Sequence, residues 1–289
     1  MRAPAYPRAR ATNVTPARAG ATIVGVKSNP NDATSVSLAS HVQERLLAVM
    51  DQKNHWAYPS LTRPGLTRAQ LLIHFRHEYL VFVRDFPVLV ARALGQVPDV
   101  EDVRVALAEN IYEEATGGLS KSGPHPRLFV KMMAGLGLRA DELAEDDAWL
   151  HPAAIAYRDM LRDTSAAAPW QAAVALLTIF VEGSVNERAE LAGTYVRPQG
   201  DADVMEHPLV LHYGCPPEAM EIRRAHGQVE GGHRKDAWRM VLANVQAGEH
   251  TAEIARAVVD TCETALAMWH RYRDAVAERM GLARKDIAA

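Results

Sequence analysis

The stretch His226-Gly-Gln-Val-Glu230-Gly-Gly-His233 puts two imidazoles and a carboxylate at positions i, i+4 and i+7. On an α-helix these positions span an arc of about 60°, so all three side chains leave one stripe. Neutral imidazole nitrogen and carboxylate oxygen are ligands for iron, manganese or zinc. Gly227, Gly231 and Gly232 flank the three residues. Each glycine costs a helix about 1 kcal/mol relative to alanine and lets a ligand or a neighbouring backbone come close. Taken alone, the motif also fits a solvated polar face. It is not the HExxH zinc-protease arrangement, because the acid stands elsewhere and the spacing differs.

Other positions add donors. Glu114 shares a helical face with Leu107 and Ile111, and a carboxylate on an apolar stripe must be paired or bind a cation. Its neighbour Glu113, about 100° further round, reads as the solvent-facing member of the two. His125 follows eleven residues after Glu114, at the start of another helix. Glu182 ends the apolar run Ala-Leu-Leu-Thr-Ile-Phe-Val, on a helix whose inner positions include Ala172, Ala175 and Ile179. A helix-end charge or an ion pair with Arg127 or Arg188 would account for each of these singly. Jointly they supply three carboxylates and three histidines from four helices, the composition of a two-metal site in a bundle core.

The elements that must position these residues are helical nearly throughout. Residues 36–52 carry Leu38, Val42, Leu46, Val49 and Met50 at helical spacing. Thr67-Arg-Ala-Gln70 fits a capping box opening a helix to about Leu94. Further helices are expected over about 102–116, ended by Gly117-Gly118; from Pro124-His125-Pro126 to Gly135 or Gly137; over 152–162; over 170–191; from Pro217 to about 246; and from Thr251 to about 280. Residues 194–216, with Pro198, Gly200, Pro208, Gly214 and Pro216, read as an irregular loop, either a lid or plain surface, carrying His207 and His212. No segment alternates with period two. The expectation is an all-α fold: a solvated, Arg- and Pro-rich tail over residues 1–33, then one domain over 34–289 with about seven main helices.

Composition limits the partners. Thirty-two basic against thirty-five acidic side chains leave a formal charge of -3, which argues against nucleic acid as the main partner. No apolar run suits a membrane span. Cys215 and Cys262 do not form a CxxC pair and read as free thiols, with the cytoplasm as the default location. The last helix, with Met268, Trp269, Tyr272, Val276 and Met280, either packs on the bundle or forms a homodimer contact; both readings stay open.

Asn110-Ile-Tyr-Glu-Glu114-Ala-Thr-Gly-Gly, His125-Pro-Arg-Leu128, Glu182 and His226-xxx-Glu230-xx-His233 together resemble the haem-oxygenase-like diiron oxidases and oxygenases over about residues 36–280. These are iron-containing redox enzymes of small-molecule biosynthesis. The resemblance implies a haem-oxygenase-like bundle and six metal ligands: Glu114, His125, Glu182, His226, Glu230 and His233. Glu230 stands where aspartate is common. The Glu182–His226 interval is long, which leaves Glu190 as the alternative central ligand. The resemblance further implies two irons, ferrous at rest, with O2 as co-substrate, an external electron donor and a small-molecule substrate. Some relatives on the broader fold use no metal pair, so a metal-free helical bundle is the reading from another class.

Two chemistries divide the family. One adds oxygen to an amine or heterocycle nitrogen; the other cleaves C–C or C–N bonds, or decarboxylates, in amino acids and carboxylates. The nitrogen-oxygenating members resemble one another in an extra carboxylate ligand from the helix before the first Glu. Here Glu78, Phe82, Asp85 and Leu89 share a face by helical spacing, which makes Glu78 or Asp85 the candidate. His74, His77, Tyr79 and Arg84 suggest a small polar substrate. Nitrogen oxygenation is the expectation, with oxidative cleavage the alternative.

Overall fold

The computed structural model describes residues 30–143, 147–246 and 249–284, with side chains for all of these except 30–37, 147, 230, 231 and 233. The first 29 residues of the expected tail lie outside the described residues. Among the described residues, eight helices of eleven or more residues, and the five-residue α7 that runs on into a π-helical stretch, carry the fold: α1 (Pro30–Asp51), α2 (Arg68–Glu78), α3 (Phe86–Gln96), α4 (Glu101–Thr116), α5 (His125–Gly135), α6 (Pro152–Ser165), α7 (Trp170–Val174), α8 (Glu221–Asn244) and α9 (Thr251–Arg279). Tyr58–Leu61, Ala140–Leu143, Glu187–Leu191, Gly200–Met205 and Pro208–Tyr213 form short helical pieces. No strand occurs among the described residues. The all-α expectation holds, with α1 beginning four residues inside the anticipated tail.

The helix count exceeds seven because two expected helices are broken and short helices occur in the connections. The first runs from its Thr67 capping box, where Gln70 N–H donates to Thr67 Oγ1 and Thr67 N–H to Gln70 Oε1. After Glu78 it passes into a π-helical turn, Tyr79–Val83, in which Arg84 N–H donates to Tyr79 O. Pro87, in the first turn of α3, has no N–H to continue the ladder, so the chain restarts at Phe86. The second break follows the π-helical stretch Ala175–Val181 on α7, in which Glu182 N–H donates to Leu177 O. A Cβ on Gly183 would lie 2.1 Å from Ile179 O and 2.8 Å from Met50 Cε. Only a residue without a side chain fits where the chain leaves that helix.

Helix α9 packs against α6, α1 and α7, and Trp269, Tyr272, Val276 and Met280 are buried within the chain. The bundle itself therefore takes up the apolar face that sequence left undecided. Tyr272 stacks on Tyr157 at 5.6 Å and 10°. A large apolar cluster spans α1, α3, α4, α6, α7, α8 and α9, and a smaller one gathers Leu71, Phe75, Phe129, Met132, Met220 and Ile222 from α2, α5 and the start of α8. No helix of the described residues is long and apolar enough to cross a membrane.

Candidate metal centre

A cavity of about 630 Å³ opens between the two apolar clusters, with Glu114, His125, Glu182 and His226 on its wall. Ligand atoms of Glu114, His125 and His226 lie within 4.8 Å of one another. They come from α4, the first residue of α5, and α8. Pro126 in the first turn fixes the start of α5 and so directs His125 inward. The His125 and His226 rings meet edge to face at 4.8 Å. Glu114 Oε1 is 2.8 Å from His125 Nδ1, yet buried Nδ1 makes no in-line hydrogen bond. A buried imidazole nitrogen beside a carboxylate, with a second imidazole at hand, is the environment a divalent metal satisfies. The residues present fit an iron site.

Glu182 follows the π stretch directly and accepts a 2.9 Å hydrogen bond from Asn110 Nδ2. Lys53 ties down the surrounding backbone, donating to the carbonyls of Phe180, Val181 (3.1 Å) and Gly183 (2.8 Å); burial pushes its ammonium down to about 7. The alternative, Glu190, is engaged elsewhere. It accepts from Arg197 Nε at 2.8 Å and pairs with Arg234, while adjacent Glu187 holds Arg234 Nε at 2.9 Å and Trp238 Nε1 at 3.0 Å. This buried network links the chain after Glu182 to α8. Glu230 and His233 belong to α8, beyond His226; their side chains lie outside the described residues.

The two further candidates separate. Glu78 lines the cavity, ion-paired with buried Arg273 and met by the Tyr272 hydroxyl at 3.4 Å. Asp85 does not share that wall. It pairs with Arg84 and with Arg162 at 2.8 Å each, and Arg84's hydrogen bonds foremost hold its carboxyl down to about 2. The π turn supplies the reason. One extra residue per turn rotates everything after Val83 relative to α-helical spacing, so Phe82 keeps the face of Glu78 and Asp85 leaves it. The expected polar lining is corrected in the same way. His74 reaches the cavity, whereas His77 bonds Ile73 O at 2.7 Å, Tyr79 stacks on Phe129 and Arg84 pairs with Asp85. Burial holds His74 well below its usual value, hence neutral at pH 7. The expected loop over 194–216 contains two short helices instead, and His207, Pro208 and Leu209 cover part of the cavity.

Glu113 reverses the sequence expectation. It is completely buried and accepts from Leu119 N–H (2.8 Å), Ser120 N–H (3.0 Å), the Ser120 hydroxyl and His125 Nε2 (3.1 Å). Gly117, with φ +68, ends α4 and turns residues 118–123 back over the helix. That return loop, invisible to helical periodicity, buries Glu113. Burial opposes its charge, and the four donors outweigh it, so its pKa is lowered. For His125, burial likewise opposes the charge, but Glu114 and Glu113 raise it above the ordinary value.

Residues 73–270 match the family model described as iron-containing redox enzyme. The chain belongs to the iron-containing redox enzyme family. None of the curated proteins matches it. Among solved structures, this family member is similar to a domain of unknown function with a heme oxygenase-like fold from Shewanella denitrificans OS217, with a TM-score of 0.53 at 16% identity over 86% of this chain and 90% of the other. It is also similar to a TenA homolog from Pseudomonas syringae pv. tomato DC3000, with a TM-score of 0.50 at 16% identity over 85% and 93%. At such identity the likeness establishes the heme oxygenase-like fold of this iron-containing redox enzyme and no further activity.

Proposed function

We propose that the chain is a non-haem diiron, O2-dependent oxygenase acting on a small molecule in biosynthesis. The observation that carries this reading is the convergence of Glu114, His125 and His226, with Glu182 on the same cavity wall. Glu230 and His233 follow on the helix of His226 and complete the proposed ligand set. These six residues would hold two ferrous ions, which would supply O2 binding and the electrons for its reduction, with an external donor needed to restore them. Phe82, Phe86, Phe129 and Met132 give the cavity an apolar wall. Neutral His74 and the Glu78–Arg273 pair offer polar contacts to a substrate.

The partner of Glu78 separates the two chemistries. Nitrogen oxygenation, the sequence expectation, calls on an extra carboxylate ligand, and Glu78 is the candidate on the wall. Its pairing with Arg273, and that of Asp85 with Arg84 and Arg162, favour the second reading, a six-ligand site for oxidative C–C or C–N cleavage or decarboxylation.

Anaerobic Fe(II) titration is expected to give two irons per chain, and fewer than one would mean a metal-free relative instead. Amines, nitrogen heterocycles and amino acids are then incubated with the iron-loaded protein, a reductant and O2, with products read by mass. A gain of one or two oxygens indicates nitrogen oxygenation; loss of CO2 or of a fragment indicates cleavage.

A further inference from the structure

We infer that Glu113 is the positioning carboxylate of this site: it fixes His125 with Nε2 as hydrogen-bond donor, so that Nδ1 is the nitrogen offered to a metal. The inference rests on the metal-site reading above and adds a residue outside its six ligands. His125 has one ring nitrogen on each of two neighbouring carboxylates, Nε2 on Glu113 at 3.1 Å and Nδ1 beside Glu114 at 2.8 Å. The two carboxylates differ in what else they hold. Both Glu113 oxygens are committed, Oε2 to the N–H groups of Leu119 and Ser120, and Oε1 to the Ser120 hydroxyl and His125. Glu114 lies on the cavity wall.

An acceptor fixed by backbone N–H groups cannot rotate to meet a metal, and it can only receive a proton-bearing nitrogen. It therefore selects the Nε2–H form of the ring and leaves the Nδ1 lone pair directed at the cluster. Ligating histidines commonly donate their other N–H to a carboxylate, which sets ring orientation and raises ligand basicity.

The arrangement makes Glu113→Gln diagnostic. The amide NH2 must face either the Leu119 and Ser120 N–H groups, donor against donor, or His125 Nε2. In the second case the ring takes its proton on Nδ1 and loses its metal-directed lone pair. Ser120→Ala is the control, since it removes a donor to Glu113 and leaves the bond to His125 intact.

The test is anaerobic Fe(II) titration of the full chain, wild type and both variants, with metal-free melting followed in parallel. The expected result is about a 10- to 100-fold weaker iron affinity for Glu113→Gln and a change under about threefold for Ser120→Ala. Wild-type affinity in Glu113→Gln overturns the inference, as does an equal loss in both variants, which would mean that Glu113 only holds the turn. Should Glu113→Gln fail to fold, the Co(II)-loaded wild type decides. It is expected to show a paramagnetically shifted, slowly exchanging imidazole N–H resonance that His125→Gln lacks, and absence of that resonance overturns the inference. A wild type that binds no metal fails the site reading itself, not the role of Glu113 within it.

Discussion

Two π-helical stretches border the cavity, and each adjoins a carboxylate on its wall. Glu78 immediately precedes Tyr79–Val83, and Glu182 immediately follows Ala175–Val181. The backbone device is shared: a widened turn, common at functional sites, re-aims the side chain beside it. The partners differ. Buried Arg273 neutralises Glu78, and its guanidinium lies 4.8 Å from the Tyr272 ring and 5.3 Å from that of Trp269. Asn110 meets Glu182 with an amide, and the Lys53 ammonium lies close enough to act on its charge. The same local geometry thus sits beside an ion pair with Arg273 at one place and an amide hydrogen bond from Asn110 at the other, and the facing helix decides which.

The contrast breaks most visibly at Arg273. Arg273→Met leaves Glu78 charged and largely buried, and urea denaturation of the metal-free protein is expected to show a loss of about 3–5 kcal/mol. Adding Glu78→Gln is expected to recover part of it. Wild-type stability in the single variant would show that the pair is not the anchor of the first stretch.

Glu182→Gln keeps an oxygen for Asn110 and is expected to leave metal-free stability within about 0.5 kcal/mol. Iron affinity is expected to fall at least about tenfold, roughly 1.4 kcal/mol, by anaerobic titration. Glu78→Gln is expected to leave that affinity unchanged. An equal loss in the two variants would erase the contrast and make Glu78 a ligand, in favour of nitrogen oxygenation.

A smaller effect appears with pH. Burial pushes His77, beside Glu78, down to about 4. The unfolded chain therefore takes up a proton at higher pH than the folded one. The contribution of His77 is complete above about 6.5 and is lost as pH falls toward 4, by under about 1 kcal/mol between pH 7 and 6. His77→Asn is expected to flatten that slope in denaturant titrations, and an unchanged slope would place the proton uptake elsewhere.

Asp85→Asn is the smallest change, expected to cost less than about 1 kcal/mol at pH 7 and to leave iron binding untouched. Because Arg84 and Arg162 hold Asp85 below its ordinary value, its contribution is present above about 3.9 and is lost as pH falls toward 2. A measurable loss of iron in this variant would return Asp85 to the ligand set.

The helix ends were legible wherever local chemistry marks them: the Thr67 capping box, Gly117, and the prolines around His125. Glu114 was legible because it shares a stripe with buried Leu107. Glu113 was not, since its burial comes from a return loop rather than from helical phase. Asp85 fell off its expected face because a π turn changes the period on which the face was drawn. The helices Gly200–Met205 and Pro208–Tyr213 are six residues each, too short for periodicity to register. Arg273, nearly two hundred residues from Glu78, left no local signal; only tertiary packing joins them.

Gly183 carries a consequence for how this protein could be altered. Beyond Ile179 O and Met50, a side chain there would also press on Glu187 Oε1 at 3.0 Å, and Glu187 anchors Arg234 and Trp238 of α8. In a saturation library, position 183 should return almost nothing but the parent residue. The reach of the acid before it is therefore adjustable only by exchanging Glu182 for a shorter or longer side chain, not by reshaping the bend on which it stands.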